Sequence, residues 1–587
     1  MSQPKTILWL IPARSCSKGV KGKNLRLVGG IPLVGRAART SQQAARLLPA
    51  YQHRVVCSTD SDEIARAAAS WGAEVAFLRP AALATDDADS IDAALHASSW
   101  LAGIAGSAPD AVAVVRPTSP LASPEDLATA IRLHFETDGA PVVTVSPTRE
   151  SPCSFRLEGA RLALSSSEAP GRGEGLVQTV MPNGAVCVAT SGFLQRERRP
   201  VVPGLSCGSL MPPDRSIEVT RESDLAVCDA LLRGRAVPMI AVGKREIGPG
   251  HPCFMIAEAG VNHNGDPALA HRLVDAAAAA GADAVKFQTF DPARLAAARA
   301  PKAEYQDRAL GTGEDQREML ARLVLPRAVH SELMAHAHEG GLEFLSSPFD
   351  EEAADYLRAL GVPAFKVPSG ELTNHHLLEH LAGFGLPLLM STGMSTMAEV
   401  AQAVDAVLGA GAPPLALLHC VSNYPAEPAS ANLTAMSSLA LAFGVPVGWS
   451  DHTPGIEIAL AAAALGAGII EKHLTLSRTL PGPDQASSLE EGEFAALVRG
   501  VRHVEQALGD GVKRPSAAEL PIAAVARKSL HWNRDRDRGE RIRPDDLIAL
   551  RPGTGLSPAR AGSLIGRCLK RDVRAGTVVR VEEVDPA

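Results

Sequence analysis

The sequence predicts an α/β chain in three parts: an open α/β sheet, a (β/α)8 barrel and a small β-rich appendage. Three observations carry this reading. Short β-rich runs alternate with alanine-rich helical stretches over the first 230 residues. Eight apolar runs with polar tails then recur between 254 and 475, and after 526 the rhythm changes to short strands and turns. A length of 587 residues exceeds one ordinary domain, at ~150 residues each, so plural function is expected.

In the first part, runs 6–11, 54–59, 74–78, 111–115 and 141–145 read as buried strands of a mostly parallel sheet. A helix over 222–232 closes it. The segment 234–252 is rich in Gly and Pro and lacks periodicity, which reads as a linker. The second part holds the apolar runs 254–262, 284–290, 343–349, 364–371, 386–393, 415–425, 446–453 and 468–475. Most are separated by helix-length segments, the pattern of a (β/α)8 barrel whose polar strand ends form the rim where such barrels place their chemistry. The third part reads as a strand at 529–532, a charged turn at 533–540, the segment 541–550, a turn at 551–555 and a last strand at 577–581. About 60 residues promise little core, so docking against the barrel or another subunit is expected. The expected boundaries are 1–235, a linker at 236–252, 253–515 and 526–587.

Composition narrows the function classes. An apolar share of 46% and a charged share of 21% fit a globular chain, and a net charge of −7 gives no general attraction for nucleic acid or anionic membrane. The nine cysteines are scattered without a CxxC pair, which implies a reducing compartment and no zinc ribbon. The apolar run 7–11 is too short for a signal peptide, and no run reaches the ~18 apolar residues of a membrane span. A soluble, cytoplasmic protein is expected. Only 12 of the 58 basic residues are lysine, so lysine inside a polar motif points to point-charge contacts.

Two clusters invite a chemical reading. The string Ile11 to Asn24, IPARSCSKGVKGKN, packs Arg14, Ser15, Ser17, Lys18, Gly19, Lys21, Gly22 and Lys23 into one loop after a strand. Backbone N–H groups with point charges cradle a polyphosphate. The GxxxxGK[ST] spacing is absent, and the bland alternative is a solvated basic turn. On the barrel, Lys286 and Lys366 end strands two and four, while Ser347, Ser369 and Ser450 follow strands three, four and seven. That set suits a small phosphorylated anion. His452 and His473 close strands seven and eight, beside Asp451 and Glu471, and two imidazoles on adjacent strands with open positions suit a catalytic divalent ion. Glu258 and Glu371 add carboxylates that orient hydroxyls or handle protons; the alternative is salt bridging to Lys286 or Lys366.

The first cluster, with Ser58-Thr59-Asp60, Leu78-Arg79-Pro80, Arg116-Pro117-Thr118-Ser119-Pro120, Pro182-Asn183-Gly184-Ala185 and Ser216-Ile217-Glu218-Val219, resembles the N-acylneuraminate (CMP-sialic acid) cytidylyltransferases across residues 5–232. The resemblance implies a Rossmann-like nucleotidyltransferase sheet in which Arg14, Ser17, Lys18, Lys23 and Asn24 hold the CTP phosphates, while Arg79, Ser90 and the Pro-Thr-Ser-Pro loop line the cytidine and sugar pocket. Departures stand out. The family's Asp-x-Asp magnesium motif reads Glu218-Val219-Thr220, so the expected Mg²⁺ rests on Glu218. Arg116 replaces a glutamine, Met181 an arginine, and a lysine near Pro152 is lost.

The barrel strings Ile256 to Gly265 (IAEAGVNHNG), Val285-Lys286-Phe287-Gln288-Thr289, Ser346-Ser347-Pro348-Phe349, Lys366 to Glu371 (KVPSGE), Ser391-Thr392-Gly393-Met394, Trp449 to Thr453 (WSDHT) and Glu471-Lys472-His473 resemble the N-acetylneuraminate synthase family over 250–515. The appendage resembles the antifreeze-like (SAF) domain that ends these synthases. The resemblance implies condensation of phosphoenolpyruvate (PEP) with an N-acylmannosamine-type aldehyde, an N-acylated hexosamine, giving a nine-carbon 2-keto acid and phosphate. Lys286, Ser347, Lys366, Ser369 and Ser450 would hold PEP, with Ser422 near the phosphate. His452 and His473 would bind Mn²⁺ or Mg²⁺, and Glu258 would orient a water or sugar hydroxyl. Gln288, Tyr424, Glu471 and Asp484 would shape the sugar pocket, and Arg551 would reach the active site of a partner in a homodimer with swapped C-terminal domains. Together the resemblances imply a bifunctional enzyme of sialic-acid-type biosynthesis that makes a keto acid and activates it with CTP, releasing pyrophosphate. The alternative is a synthase whose first domain is a degenerate nucleotide-binding or assembly module. Sialic, legionaminic and pseudaminic acid synthases share these motifs, which leave the sugar open.

Overall fold

The computed structural model describes residues 4–16, 19–85, 88–148, 155–164 and 179–586. Ser17, Lys18 and Pro152, named above, lie outside them. The chain forms two compact units, 1–507 and 508–587.

The first unit begins with an eight-stranded sheet of β1 (Thr6–Pro12), β2 (Gln52–Ser58), β3 (Ala111–Val115), β4 (Val142–Pro147), β5 (Phe155–Glu158), β6 (Arg161–Leu164), β7 (Thr179–Ala189) and β8 (Cys207–Leu210), ordered β2-β1-β3-β7-β4-β8-β6-β5. The strands β2, β1 and β3 run parallel, and β4 pairs parallel with β8. Antiparallel β7 is inserted between β3 and β4. The sheet is therefore mixed where the sequence reading has it mostly parallel, because the long β7 reads as no apolar run. The expected strand at 74–78 supplies only isolated bridges, Val56 to Glu74 and Thr59 to Leu78. Buried Ile7, Trp9 and Ile11 alternate with Leu8 and Leu10 on opposite faces of β1, each face meeting its own apolar core.

The segment expected to be a linker is instead a hairpin of β9 (Ile240–Val242) and β10 (Arg245–Ile247). Its Ile240, Val242 and Ile247 are buried against Phe254, Ile256, Ala284, Leu345 and Ile469. Alternation over only three residues per strand is too short to register as a periodic signal. The eight apolar runs then form β11 (Phe254–Gly260), β12 (Ala284–Thr289), β13 (Glu343–Pro348), β14 (Phe365–Val367), β15 (Leu388–Ser391), β16 (Leu415–Cys420), β17 (Val447–Asp451) and β18 (Ile469–Thr475). All pair in parallel, and β11 closes the ring against β18 with Phe254 opposite Ile469 and Glu258 opposite His473.

The sheet domain and the barrel dock within this unit. Helix α1 (Leu33–Arg46) of the sheet domain is bonded to α3 (Met397–Ala410) of the barrel through Arg39 and Asp405, and the closing helix α2 (Glu222–Arg233) packs beside α4 (Ala435–Phe443). Ala398 and Ala401 of α3 belong to the same apolar cluster as Val34, Ala37 and Ala38 of α1. The turn before α1 comes so close that a Cβ on Gly30, at φ +73°, would lie 2.8 Å from Ser438 Cβ.

The second unit has a two-stranded antiparallel sheet, β19 (Ser529–Trp532) with β20 (Leu547–Leu550). It holds its own core of Leu530, Trp532, Ile542, Leu564, Leu569, Val573, Val579 and Val584, more than its length promised. The expected last strand at 577–581 is reduced to an isolated bridge between Val578 and His531. The eight described cysteines are free, and no described helix is long and apolar enough to cross a membrane.

Candidate active site

Alternation along the barrel strands decides which polar residues face inward. On β18, Glu471 and His473 turn into the barrel, while Lys472 between them turns away and bonds Asp451 Oδ2 at 2.5 Å and the Thr453 carbonyl at 2.7 Å. Ser450 and His452, flanking Asp451, line the cavity with them. Asp451 and Lys472, both named in the sequence motifs, thus tie strand ends together outside the site.

The floor of the site is a buried charge network. Lys286 Nζ lies 2.5 Å from Glu258 Oε2 and donates to Ser347 Oγ at 3.2 Å. Lys366 Nζ lies 3.2 Å from Glu471 Oε1, which also accepts from Ser450 Oγ at 3.0 Å. Gln288 Nε2 donates to Glu258 Oε1 at 3.0 Å. Burial opposes ionisation of Glu471, but Lys286 and Lys366 outweigh it and hold its carboxyl down at about 2. Glu258 goes the other way: burial raises it despite Lys286. Burial likewise lowers Lys366, whereas Glu258 and Glu471 together raise Lys286 against its burial. With two ammonium groups over one firmly ionised carboxylate, an incoming anion finds cations already placed.

Above this floor is a cavity of about 330 Å³. It is lined by all five catalytic candidates, Glu258, Lys286, Lys366, His452 and His473, and by Gln288, Ser347, Ser369, Ser422, Tyr424, Ser450, Glu471 and Asp484. Glu371 is not among the lining residues; its Oε2 accepts from Asn374 Nδ2 at 2.9 Å. Arg551 lies exposed in the second unit. On one wall Gly393 N donates to Ser369 Oγ at 3.0 Å, and a Cβ at Gly393 would lie 2.2 Å from Ser422 Oγ and 2.8 Å from Ser369 Oγ. The two hydroxyls and a bare backbone make a cradle that a side chain would fill.

Next to this cradle, across Cys420, the lining is imidazole and phenol. The rings of His452 and His473 are 5.5 Å apart, and Tyr424 packs 4.2 Å from His452. His452 Nδ1 donates to the Val421 carbonyl at 2.8 Å, since a carbonyl only accepts, so Nε2 offers a lone pair when the ring is neutral; burial lowers this imidazole, but Cys420 and the Val421 carbonyl outweigh it and raise the ring above its usual range. His473 Nδ1 is buried without a hydrogen-bond partner. Burial, then the neighbouring His452 and Lys286, push His473 well below the usual imidazole range, so it is neutral. Two imidazole lone pairs of this kind fit a divalent ion. Among the described residues no three His, Cys, Asp or Glu side chains gather as a metal-binding group. Asp484, pushed up to about 6 by burial and by Glu258, faces the same space.

Two sets of lining residues escaped the sequence reading. Tyr305, Gln306, Gln316, Met319 and Leu323 come from short helices in the long β12–β13 connection, and Tyr305 stacks on Tyr424 at 4.9 Å. Their only sequence signal is the length of that connection. Cys420 lies 3.7 Å from His452 Nδ1; burial raises its thiol, but His452 outweighs burial and leaves it at about 7.

The sheet domain holds a second cavity of about 330 Å³, lined by Arg14, Cys16, Lys23, Asn24, Arg79, Asp89, Ser90, Arg116, Thr118 and Glu218. All the described nucleotide-binding candidates therefore meet. Arg14 Nη1 donates to the Thr85 carbonyl at 2.7 Å, Lys23 Nζ to the Val219 carbonyl at 3.0 Å and Arg79 Nε to Ser58 Oγ at 3.0 Å. Arg116 and Glu218 converge over Gly184, whose φ is +75°. Thr220, in place of the expected second carboxylate, donates from Oγ1 to Asp224 at 3.0 Å. Asp89, the N-cap of the helix Ser90–Ala105, adds a second carboxylate to the lining.

Comparison with known proteins agrees with this anatomy. Residues 8–165 match the cytidylyltransferase family model, 273–513 the NeuB family model and 527–584 the SAF domain model. The N,N'-diacetyllegionaminic acid synthase of Legionella pneumophila is 46% identical over 347 residues, covering 58% of this chain and 98% of that protein. The enzyme of the same name from Campylobacter jejuni is 42% identical over 329 residues, covering 56% and 98%. A solved N-acetylneuraminic acid synthetase from Leptospira borgpetersenii, in complex with citrate, is 35% identical, covering 49% of this chain and 96% of that one, with a TM-score of 0.44. Matching nearly the whole of such relatives through its barrel and C-terminal unit, the chain belongs to the NeuB family and carries a cytidylyltransferase domain ahead of its barrel.

Proposed function

We propose that the barrel condenses PEP with an open-chain N-acylated hexosamine to a nine-carbon 2-keto acid and phosphate, and that the sheet domain transfers CMP from CTP to that acid. One observation carries the first half: two buried ammonium groups and a hydroxyl cradle share one cavity with two imidazoles. A phosphate-bearing enol fits the first set and an aldehyde the second.

In this reading Lys286 and Lys366 hold the PEP carboxylate and phosphate, with Ser369, Ser422 and the Gly393 N–H around the phosphate oxygens. His452 and His473 would hold Mn²⁺ or Mg²⁺, which when bound polarises the aldehyde oxygen. PEP C3 forms the new bond to the aldehyde carbon. Water then adds at C2 and the C2–O bond to phosphate breaks, the water's proton passing to a nearby carboxylate. Glu258, raised by burial, and Asp484, near 6, are placed to hold and return protons during these steps. Tyr305 and Tyr424 exclude water from the sugar end.

The relatives' names support a doubly N-acetylated aldehyde: identity is 46% to the N,N'-diacetyllegionaminic acid synthase of Legionella pneumophila but 36% to the N-acetylneuraminate-9-phosphate synthase of Homo sapiens. A homodimer in which Arg551 of one copy serves the barrel of the other, and a cytoplasmic setting, belong to the same proposal. In the sheet domain, Glu218 and Asp89 offer Mg²⁺ two carboxylates. The engagement of Thr220 by Asp224 favours the second reading, a transferase domain without activity.

The test is product mass spectrometry from PEP with a panel of singly and doubly N-acetylated hexosamines, followed by CTP and Mg²⁺ with pyrophosphate detection. A keto acid without pyrophosphate would leave only the synthase; no condensation with any sugar would sink the barrel assignment. His473→Ala is expected to lose Mn²⁺ binding by calorimetry and to lower turnover at least ~100-fold.

A further inference from the structure

The long β12–β13 connection brings two short helices to the barrel cavity, Glu304–Leu310 and Gln316–Leu323. The buried ammonium of Lys302 ties them together: its Nζ donates to the Gly311 carbonyl at 2.5 Å and lies 3.3 Å from Asp307 and 3.9 Å from Glu314. Gln316 N donates to the Ala300 carbonyl at 2.9 Å, which sets the start of the second helix against the same loop. On that helix Gln316, Met319, Leu320 and Leu323 all line the cavity. Steps of three, four and seven residues from Gln316 put them on one face.

That face changes from polar to apolar along its length. Met319 and Leu323 are buried in one apolar cluster with Val261, and Leu320 and Phe349 pack against it. Gln316, half-buried in the first turn, makes no side-chain hydrogen bond among the described residues. Gln306 on the neighbouring helix is committed instead: Oε1 accepts from Ala303 N at 3.0 Å, and Nε2 donates to Tyr305 Oη at 3.2 Å. One amide with both its donor and its acceptor free therefore stands at the edge of an apolar patch inside the cavity. The aromatic rings place this patch relative to the imidazoles. Tyr424 packs 4.2 Å from His452, and Tyr305 stacks on Tyr424 at 4.9 Å, so the Tyr424 ring separates the lid from the imidazoles.

We propose that Gln316 and the apolar face behind it recognise a second N-acyl group of the sugar, the one remote from the aldehyde. With the aldehyde at the imidazoles, a substituent on the adjoining carbon lies by Tyr424 and one further along the chain lies under the lid. An acylamino group presents one N–H and one carbonyl, and the free amide of Gln316 serves either. Its methyl is covered by Leu320 and the apolar cluster. A sugar without that group leaves the amide unpaired and the apolar face wet, which is how a site of this kind discriminates. The inference rests on the condensation proposed for the barrel and names the part of the cavity that selects among N-acylated hexosamines.

The experiment uses the full chain and follows phosphate release at saturating PEP with two sugars, a 2,4-diacetamido hexose and the 2-acetamido hexose of the same configuration. Wild type is expected to favour the first in kcat/KM by at least ~10-fold. Gln316→Leu keeps the bulk of the side chain and removes its amide. It is expected to lower kcat/KM about tenfold on the doubly acetylated sugar while the singly acetylated sugar stays within about twofold. The KM for PEP should not move. A wild type without the preference, a preference unchanged in the variant, or an equal loss on both sugars overturns the proposal and leaves the condensation standing. No phosphate release with either sugar overturns the condensation, and this inference falls with it.

Discussion

Arg39 in the sheet domain and Asp405 on the barrel are joined by two guanidinium bonds, Nη2 at 2.8 Å and Nε at 3.3 Å, with both side chains largely buried. Asp405 is a hub: Gln43 Nε2 donates to the same carboxylate at 2.8 Å, and Arg46 Nη1 to its backbone carbonyl at 3.1 Å. The Arg39 guanidinium also lies 5.0 Å from the Phe443 ring. One acidic residue on α3 thus anchors a whole face of α1, and the two domains meet at a defined angle.

Asp405→Ala leaves Arg39 and Gln43 without their buried acceptor. Removing one partner of a buried pair costs about 3 kcal/mol, so the thermal midpoint should fall and limited proteolysis between the domains should accelerate. An unchanged midpoint and cleavage rate would mean that the apolar contacts of α3 alone hold the domains.

Gly393→Ala puts a Cβ into the hydroxyl cradle, 2.2 Å from Ser422 Oγ. In the proposed reaction this strikes the phosphate of PEP and not the sugar. The KM for PEP should rise at least ~10-fold, the cost of losing roughly one good hydrogen bond to a charged group, while the KM for the sugar changes little. Steady-state phosphate release with each substrate varied in turn measures both.

Glu218→Gln separates the two activities. If Glu218 is the carboxylate that serves Mg²⁺, pyrophosphate release should drop by about 100-fold, in line with removal of one charge-stabilising contact. Phosphate release by the barrel should stay at the wild-type rate. Equal pyrophosphate release in wild type and variant would shift the metal to Asp89.

His263 and His330 are buried, and burial lowers both imidazoles from the usual 6.5 to about 4. Between these values the unfolded chain binds protons that the folded chain does not, so folding stability decreases as pH falls. The contribution is complete above about 6.5 and declines by about 1.4 kcal/mol per pH unit for each histidine down to about 4. Thermal midpoints measured from pH 7 to pH 4 should fall, and His330→Gln should flatten the slope. An unaltered slope in that variant would remove His330 from the account.

How much of this was legible depended on where the signal is stored. The barrel was legible because each of its strands is an apolar run ending in polar residues, a local pattern that survives without knowledge of neighbours. Lys286, Lys366, His452 and His473 were legible for the same reason: parallel strands of a closed barrel bring their C-terminal ends to one rim, so position along each strand implies proximity. Glu371 departs because a 3-10 turn follows β14 and its carboxylate bonds Asn374. Lys472 departs because a one-residue step along a strand reverses the side-chain direction. The hairpin β9–β10 and the lid residue Tyr305 carried no periodic mark.

The sequence alone determined three parts, the barrel with its polar strand ends, and the cationic loop with the Glu218-Val219-Thr220 segment. These are properties of short windows and of strand direction. Only the tertiary structure decided that Asp405 joins the two large domains and that Tyr305 caps Tyr424. Such pairs lie tens to hundreds of residues apart, and nothing in either residue's neighbourhood records the partner until packing brings the surfaces together.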